Sequence, residues 1–123
     1  MYRKKISIQT NCGLHFFKEL LNGKWKLMLI YYISQGFQRP GELQKKIHNG
    51  DRRVLDKQLA ELVQHGFLEK RVYNTKVPKV EYMLTPLGND LVPLIIVMEK
   101  WGEAHREELE QGLKNDPKFV NVF

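Results

Sequence analysis

The sequence predicts a mainly α fold carrying one small β-hairpin, and three observations predict it. Apolar residues recur at helical spacing in several separate segments, each opened or closed by Asp, Thr, Pro or Gly. Between Phe67 and Leu84 that period gives way to β-branched and aromatic runs on either side of a polar loop. The 123 residues, 42% apolar and 11% aromatic, suffice for one buried core, so a single domain over 1–123 is expected.

The first helix is expected around Leu14, Phe17, Leu20 and Leu21, with Asn22-Gly23 ending it through the left-handed conformation that glycine tolerates. Trp25 to Ile33 is hydrophobic most of the way round and reads as the central buried helix, stopped at Gly36. Pro40 suits the first position of a short helix reaching Ile47, and His48-Asn49-Gly50 makes a turn. Asp51 is a good N-cap for a helix to His65, closed by Gly66. On it Leu55, Leu59, Leu62 and Val63 fall on one stripe, while Arg53, Lys57, Ala60 and Gln64 fall opposite.

Strands are expected over Leu68–Tyr73 and Val80–Leu84, joined by the cationic loop 74–79. Thr85 then caps a last helix with Pro86 at its first position, running to about Gln111 and bent at Pro93. Leu87, Leu91, Leu94, Ile95, Met98 and Trp101 form one stripe of it, able to pack on the body. Val92 and Ile96 sit roughly on the reverse. Apolar residues on both faces imply a cover for each, and a second copy of the chain is the cheapest one.

The net charge is +6 and the pI near 9.5. The excess lies forward: residues 1–85 carry +9 and residues 86–123 carry −3. A basic body suggests a polyanionic partner, with plain solubility as the alternative. Cys12 is the single cysteine, so neither an intrachain disulfide nor a multi-cysteine zinc site can form. No apolar run approaches a membrane span, and no apolar h-region follows the basic start, so a cytoplasmic protein is expected. Known catalytic and phosphate-binding motifs are absent, and the four histidines lack ligand spacing. Neither an enzyme nor a cofactor or metal site is expected.

Helix, turn, helix and basic hairpin present one rigid rod and one finger to a DNA duplex. Arg52, Arg53 and Lys57 lie at the head of the helix from Asp51, with Gln58 to the side; Arg and Gln are the residues that bond guanine and adenine edges bidentately. Lys45 and Lys46 on the preceding helix could hold phosphates, and Arg39 ahead of them is a further DNA-binding candidate. Lys70, Arg71, Lys76 and Lys79 on the hairpin could touch the backbone or the adjacent minor groove. The competing reading is a solvated basic face, or a protein-interaction module for an acidic partner.

Several motifs fall in one order: Gly23-Lys24-Trp25-Lys26, Arg39-x-x-Glu42-Leu43, Leu55-x-x-x-Leu59-x-x-Leu62-x-x-x-Gly66, Val80-Glu81-Tyr82-x-Leu84-Thr85-x-x-Gly88 and Trp101-Gly102. In this the chain resembles the HxlR family of bacterial winged-helix transcriptional regulators, from Cys12 to about Gly102. The resemblance implies a winged helix-turn-helix with N- and C-terminal dimerisation helices: helix-turn-helix over 39–65, wing over 67–84, dimerisation helix over 85–111. It implies a homodimer on double-stranded DNA, reading a palindromic operator; Leu87, Leu91, Val92, Ile95, Ile96, Met98 and Trp101 are its candidate contacts. A cysteine placed like Cys12 senses oxidants or electrophiles in some members; packing is the alternative. Two positions depart from the family pattern: Gly13 stands where proline is usual, and Gly50 where an apolar residue commonly anchors the turn.

Overall fold

A computed structural model describes residues 12–47 and 50–119. Among these the order is α1 (Gly13–Leu20), α2 (Lys26–Ser34), α3 (Pro40–Lys46), α4 (Arg52–Gln64), β1 (Leu68–Tyr73), β2 (Lys79–Leu84), α5 (Pro86–Ala104) and α6 (Arg106–Lys114), then a short 3-10 turn over Pro117–Phe119. The two strands form an antiparallel pair whose register runs from Leu68 opposite Leu84 to Tyr73 opposite Lys79. Of the expected turn, His48 and Asn49 lie outside the described residues.

The caps explain most boundaries. Asp51 accepts a hydrogen bond from the Arg53 backbone N–H at 2.8 Å, and Gly66, at φ +87°, turns the chain out of α4. The Thr85 hydroxyl accepts from the Gly88 N–H at 3.1 Å and donates to the Gly66 carbonyl at 2.6 Å. One side chain thereby starts α5 and ties it to the end of α4. The Glu42 carboxylate accepts from the Arg39 N–H at 3.2 Å to open α3.

The core joins Leu29, Ile30 and Ile33 of α2 to Leu43 of α3, Leu55, Leu59 and Leu62 of α4, Leu68 and Tyr82 of the hairpin, and Ile95 of α5. Burying each leucine or isoleucine is worth about 1.5–3 kcal/mol, so this cluster fixes how α4 stands against the body. Ahead of α3 the Gln38 carbonyl accepts from the Tyr82 N–H at 2.8 Å, stitching the incoming chain to β2. A mainly helical body bearing one two-stranded hairpin is the winged-helix arrangement.

Three expectations need correction. Gly23 does not take the left-handed conformation; a Cβ there would stand 2.9 Å from the Lys26 side chain and 3.1 Å from that of Gln58, so closeness requires the glycine. The last helix, expected to reach about Gln111, continues through Pro93 but is interrupted at His105. Pro93 and Asn89 are both exposed, so the carbonyl that loses its donor lies on the wet side. Arg106 spans the interruption, paired with Glu103 behind it and with Glu110 ahead at 3.2 Å. The hydrogen bond from Arg106 lowers the Glu103 pKa, and the guanidinium's own is raised in return.

The third concerns which face of α5 packs. Leu91, Val92 and Ile95 turn inward onto the core, whereas Leu87, Leu94, Val97 and Trp101 are exposed. Helical period alone puts Val92 on the reverse side and Leu87, Leu94 and Trp101 on the packing stripe, so the helix is rotated from that expectation. The close approach of Gly88 to the Phe67 backbone sets the rotation and so selects Leu91, Val92 and Ile95. Ile95 is buried and so leaves the set of candidate dimer contacts, while Leu91 and Val92 are half-buried against the core. Ile96 is half-buried, and Leu87, Met98 and Trp101 stay available.

Candidate nucleic-acid interface

The proposed reading helix is α4, and its two faces divide as its period requires. Leu55, Leu59 and Leu62 are fully buried, while Arg53, Lys57, Ala60 and Gln64 face solvent. Arg52 is about half exposed, and its Nε donates to the Asp56 carboxylate at 3.1 Å, one turn along the helix. Such an exposed i,i+4 pair adds little stability, but it orients the guanidinium.

The supporting cations are disposed around this helix. Lys45 is exposed on α3, and Lys46 carries its ammonium 4.4 Å from the Phe37 ring centroid. Arg39 precedes α3, exposed. On the hairpin Arg71 stands opposite Glu81 and Lys79 opposite Tyr73, with exposed Lys76 in the connecting loop. Arg39, Arg52, Lys70 and Lys79 all face a cleft between α4 and the hairpin. Arg53 and Lys57 do not line it; they point elsewhere from the same helix.

Gln58 is corrected from its candidate role. It is buried, and its Oε1 accepts the Trp25 backbone N–H at 2.8 Å. Beside it Lys26, also buried, reaches the Glu61 carboxylate at 3.4 Å and the Leu20 carbonyl at 3.3 Å. Sequence reasoning missed this polar clasp between α2 and α4. The signal was present: Leu55, Gln58, Leu59 and Leu62 share the i, i+3, i+4, i+7 spacing of a single face. Most of the Gly23-Lys24-Trp25-Lys26 motif serves this clasp.

Gly50, the departure in the turn, is crowded rather than loose. A Cβ there would meet Ile47 at 3.0 Å and Leu55 at 3.1 Å. Buried Ile47 supplies the anchoring apolar side chain from three residues earlier. Cys12, at the head of α1, is an exposed thiol. Among the described residues no group of three metal-ligating side chains occurs, and no helix is long and apolar enough to cross a membrane.

Comparison with known proteins places this geometry. The family model described as HxlR-like helix-turn-helix matches residues 20–110. The HTH-type transcriptional regulator YybR of Bacillus subtilis (strain 168) is 36% identical over 107 residues, covering 87% of this chain and 86% of that protein. YtcD of the same organism is 33% identical over 124 residues, covering 94% and 95%. The solved structure of the redox regulator HypR in its reduced form superposes with a TM-score of 0.75 at 36% identity, over 81% of this chain and 99% of that one. The reduced form of the transcriptional regulator YodB from B. subtilis gives 0.63 at 27% identity, over 75% and 91%. Matched by the family model over most of its length, and by regulators that it spans almost end to end, the chain belongs to the HxlR-like helix-turn-helix family and is a transcriptional regulator.

Proposed function

We propose that this regulator binds double-stranded DNA as a homodimer on a palindromic operator, with α4 in the major groove and the hairpin against the backbone or the adjacent minor groove. The observation that carries the reading is the division of α4: its leucines are sealed in the core while Arg53 and Lys57 stand free on the opposite side. In such a helix the N-terminal residues reach base edges, and Arg53 is the second helical residue. Arg53 bonding guanine through O6 and N7 supplies base discrimination. Lys45, Lys46, Arg71, Lys76 and Lys79 supply phosphate contacts without sequence preference. In a dimer, two copies of α4 meet successive major grooves about 34–36 Å apart, or a multiple of that.

The test is a mobility shift with duplexes of varied sequence. Wild-type protein should retard random duplex at low salt and prefer one selected site. Arg53→Ala should lose about 1–3 kcal/mol of that preference, whereas Lys76→Gln should weaken all duplexes alike. No retardation at micromolar protein would return the protein-interaction reading.

Cys12 carries a second element of the reading, redox control. It is exposed at the head of α1, and the similar HypR is a redox regulator. Because the chain has no other cysteine, a disulfide joins Cys12 to a thiol outside the chain: two thiols give up two electrons and two protons to a peroxide-class oxidant. Repeating the shift after mild peroxide should change operator affinity in wild type and not in Cys12→Ser; equal affinity before and after in wild type leaves Cys12 a packing residue.

A further inference from the structure

A cavity of about 250 Å3 opens between α2 and α5. Leu27, Met28 and Tyr31 line it from α2, and Ile95, Met98 and Glu99 from α5. Among the described residues it shares none with the basic cleft beside α4. Ile95 is buried and Leu27 and Tyr31 are half-buried, while Met28, Met98 and Glu99 are exposed. The cavity thus has an apolar floor and an open mouth.

Size and chemistry together specify an occupant. A dry cavity of about 150 Å3 is enough for benzene, so this one holds a single ring with a short side arm. The thioethers of Met28 and Met98 adapt to an aromatic edge, and Tyr31 offers a ring of its own. Among the described residues that line the space, Glu99 alone is charged. Its carboxylate makes no ion pair with any of them, whereas Glu103 and Glu110 nearby are both taken by Arg106. Glu99 also lies in the acidic segment 86–123, of net charge −3 in a chain of +6. The mouth favours a cation.

A second copy of the chain is the competing occupant, and two observations argue against it. The exposed apolar run of Leu94, Val97 and Trp101 lies outside the lining. A carboxylate at the mouth also suits a contact between copies poorly, because interface cores shed charge.

Occupancy has a path to α4. Trp25 and Lys26, the two residues before Leu27, are the ones clasped to Gln58 at 2.8 Å and to Glu61 at 3.4 Å. Across the cavity, Ile95 belongs to the core that also holds Leu55, Leu59 and Leu62. A molecule wedged between α2 and α5 therefore bears on both supports of α4, and a close-packed interior transmits the strain.

We propose that the cavity between α2 and α5 binds a small monocyclic aromatic amine, its ring against the two methionines and its ammonium on Glu99, and that occupancy alters duplex affinity. The site stands without DNA; the coupling alone rests on the DNA-binding reading above.

Calorimetric titration of the full chain with 2-phenylethylamine, at constant ionic strength, tests the site. Saturable binding with Kd below about 1 mM is expected. The neutral analogue 2-phenylethanol should bind wild type about tenfold more weakly, and Glu99→Gln should weaken the amine by about the same factor. Met28→Trp, whose larger ring fills the mouth, should abolish binding. No saturable binding, or equal affinity for amine and alcohol, overturns the site, as does an unchanged Kd in Glu99→Gln. Absence of amine binding in wild type, with a dimer mass that Met28→Trp reduces to one chain's, would give the cavity to a second copy. A mobility shift with and without saturating amine reads the coupling: duplex Kd should change at least about fivefold in wild type and stay constant in Met28→Trp. An unchanged duplex Kd in wild type overturns the coupling. If no duplex binds in either condition, the DNA-binding reading falls and the coupling with it, and the titration alone decides the site.

Discussion

At Gly88 an added Cβ would stand 2.3 Å from the Phe67 carbonyl oxygen and 3.1 Å from Leu84. No side chain fits there unless α5 moves away from the chain entering the hairpin. Alanine is favoured over glycine inside a helix by about 1 kcal/mol, which works against the clash. A backbone oxygen cannot rotate aside, however, so overpacking of about 1–3 kcal/mol should win. Gly88→Ala is therefore expected to lower the urea midpoint, and an unchanged midpoint would mean that α5 slides freely on the body. The sequence marks Gly88 within a motif, but the reason for a glycine is a contact with Phe67, twenty-one residues away. Gly66 differs: its positive φ and place at a helix end are local, and local pattern found it.

Among the elements, α4 depends most on what holds it. Its leucine stripe fixes rotation, and the clasp of Gln58 on the Trp25 N–H, with Lys26 on Glu61, fixes it against the head of α2. Removing the Gln58 carboxamide leaves a part-buried N–H without its partner, at a cost of about 1–3 kcal/mol. Gln58→Ala should thus lower stability by that amount in denaturant while the ranking of DNA sequences stays as in wild type. A changed ranking at unaltered stability would put Gln58 back on the reading face. Periodicity alone found the helix, its caps and its apolar stripe. It did not show that a polar residue inside the stripe had a partner waiting on another helix.

For the whole molecule, the outer apolar surface is the unfinished part. Leu94, Val97, Met98 and Trp101 on α5 are exposed together with Leu14 and Phe16 on α1 and Leu109 on α6. Scattered apolar residues are ordinary on a surface, but a run of four along one helix is not. If a second copy covers it, light scattering should give about twice 14.6 kDa for wild type. Val97→Glu should shift the mass toward one chain, because charge in such a contact is strongly disfavoured. Wild type at one chain's mass at working concentration would defeat the dimer.

The chain by itself determined the element order as far as the last helix, most of the caps, the two faces of α4 and the basic character of the body. These follow from spacing and residue type within a few turns, where neighbours in sequence are neighbours in space. Tertiary structure decided which face of α5 turns inward, that Gln58 has its partner in the Trp25 N–H at the head of α2, and that Lys70 and Tyr82 line one cleft with Arg52. Each depends on a partner distant along the chain, and local period carries no record of how two elements rotate against each other.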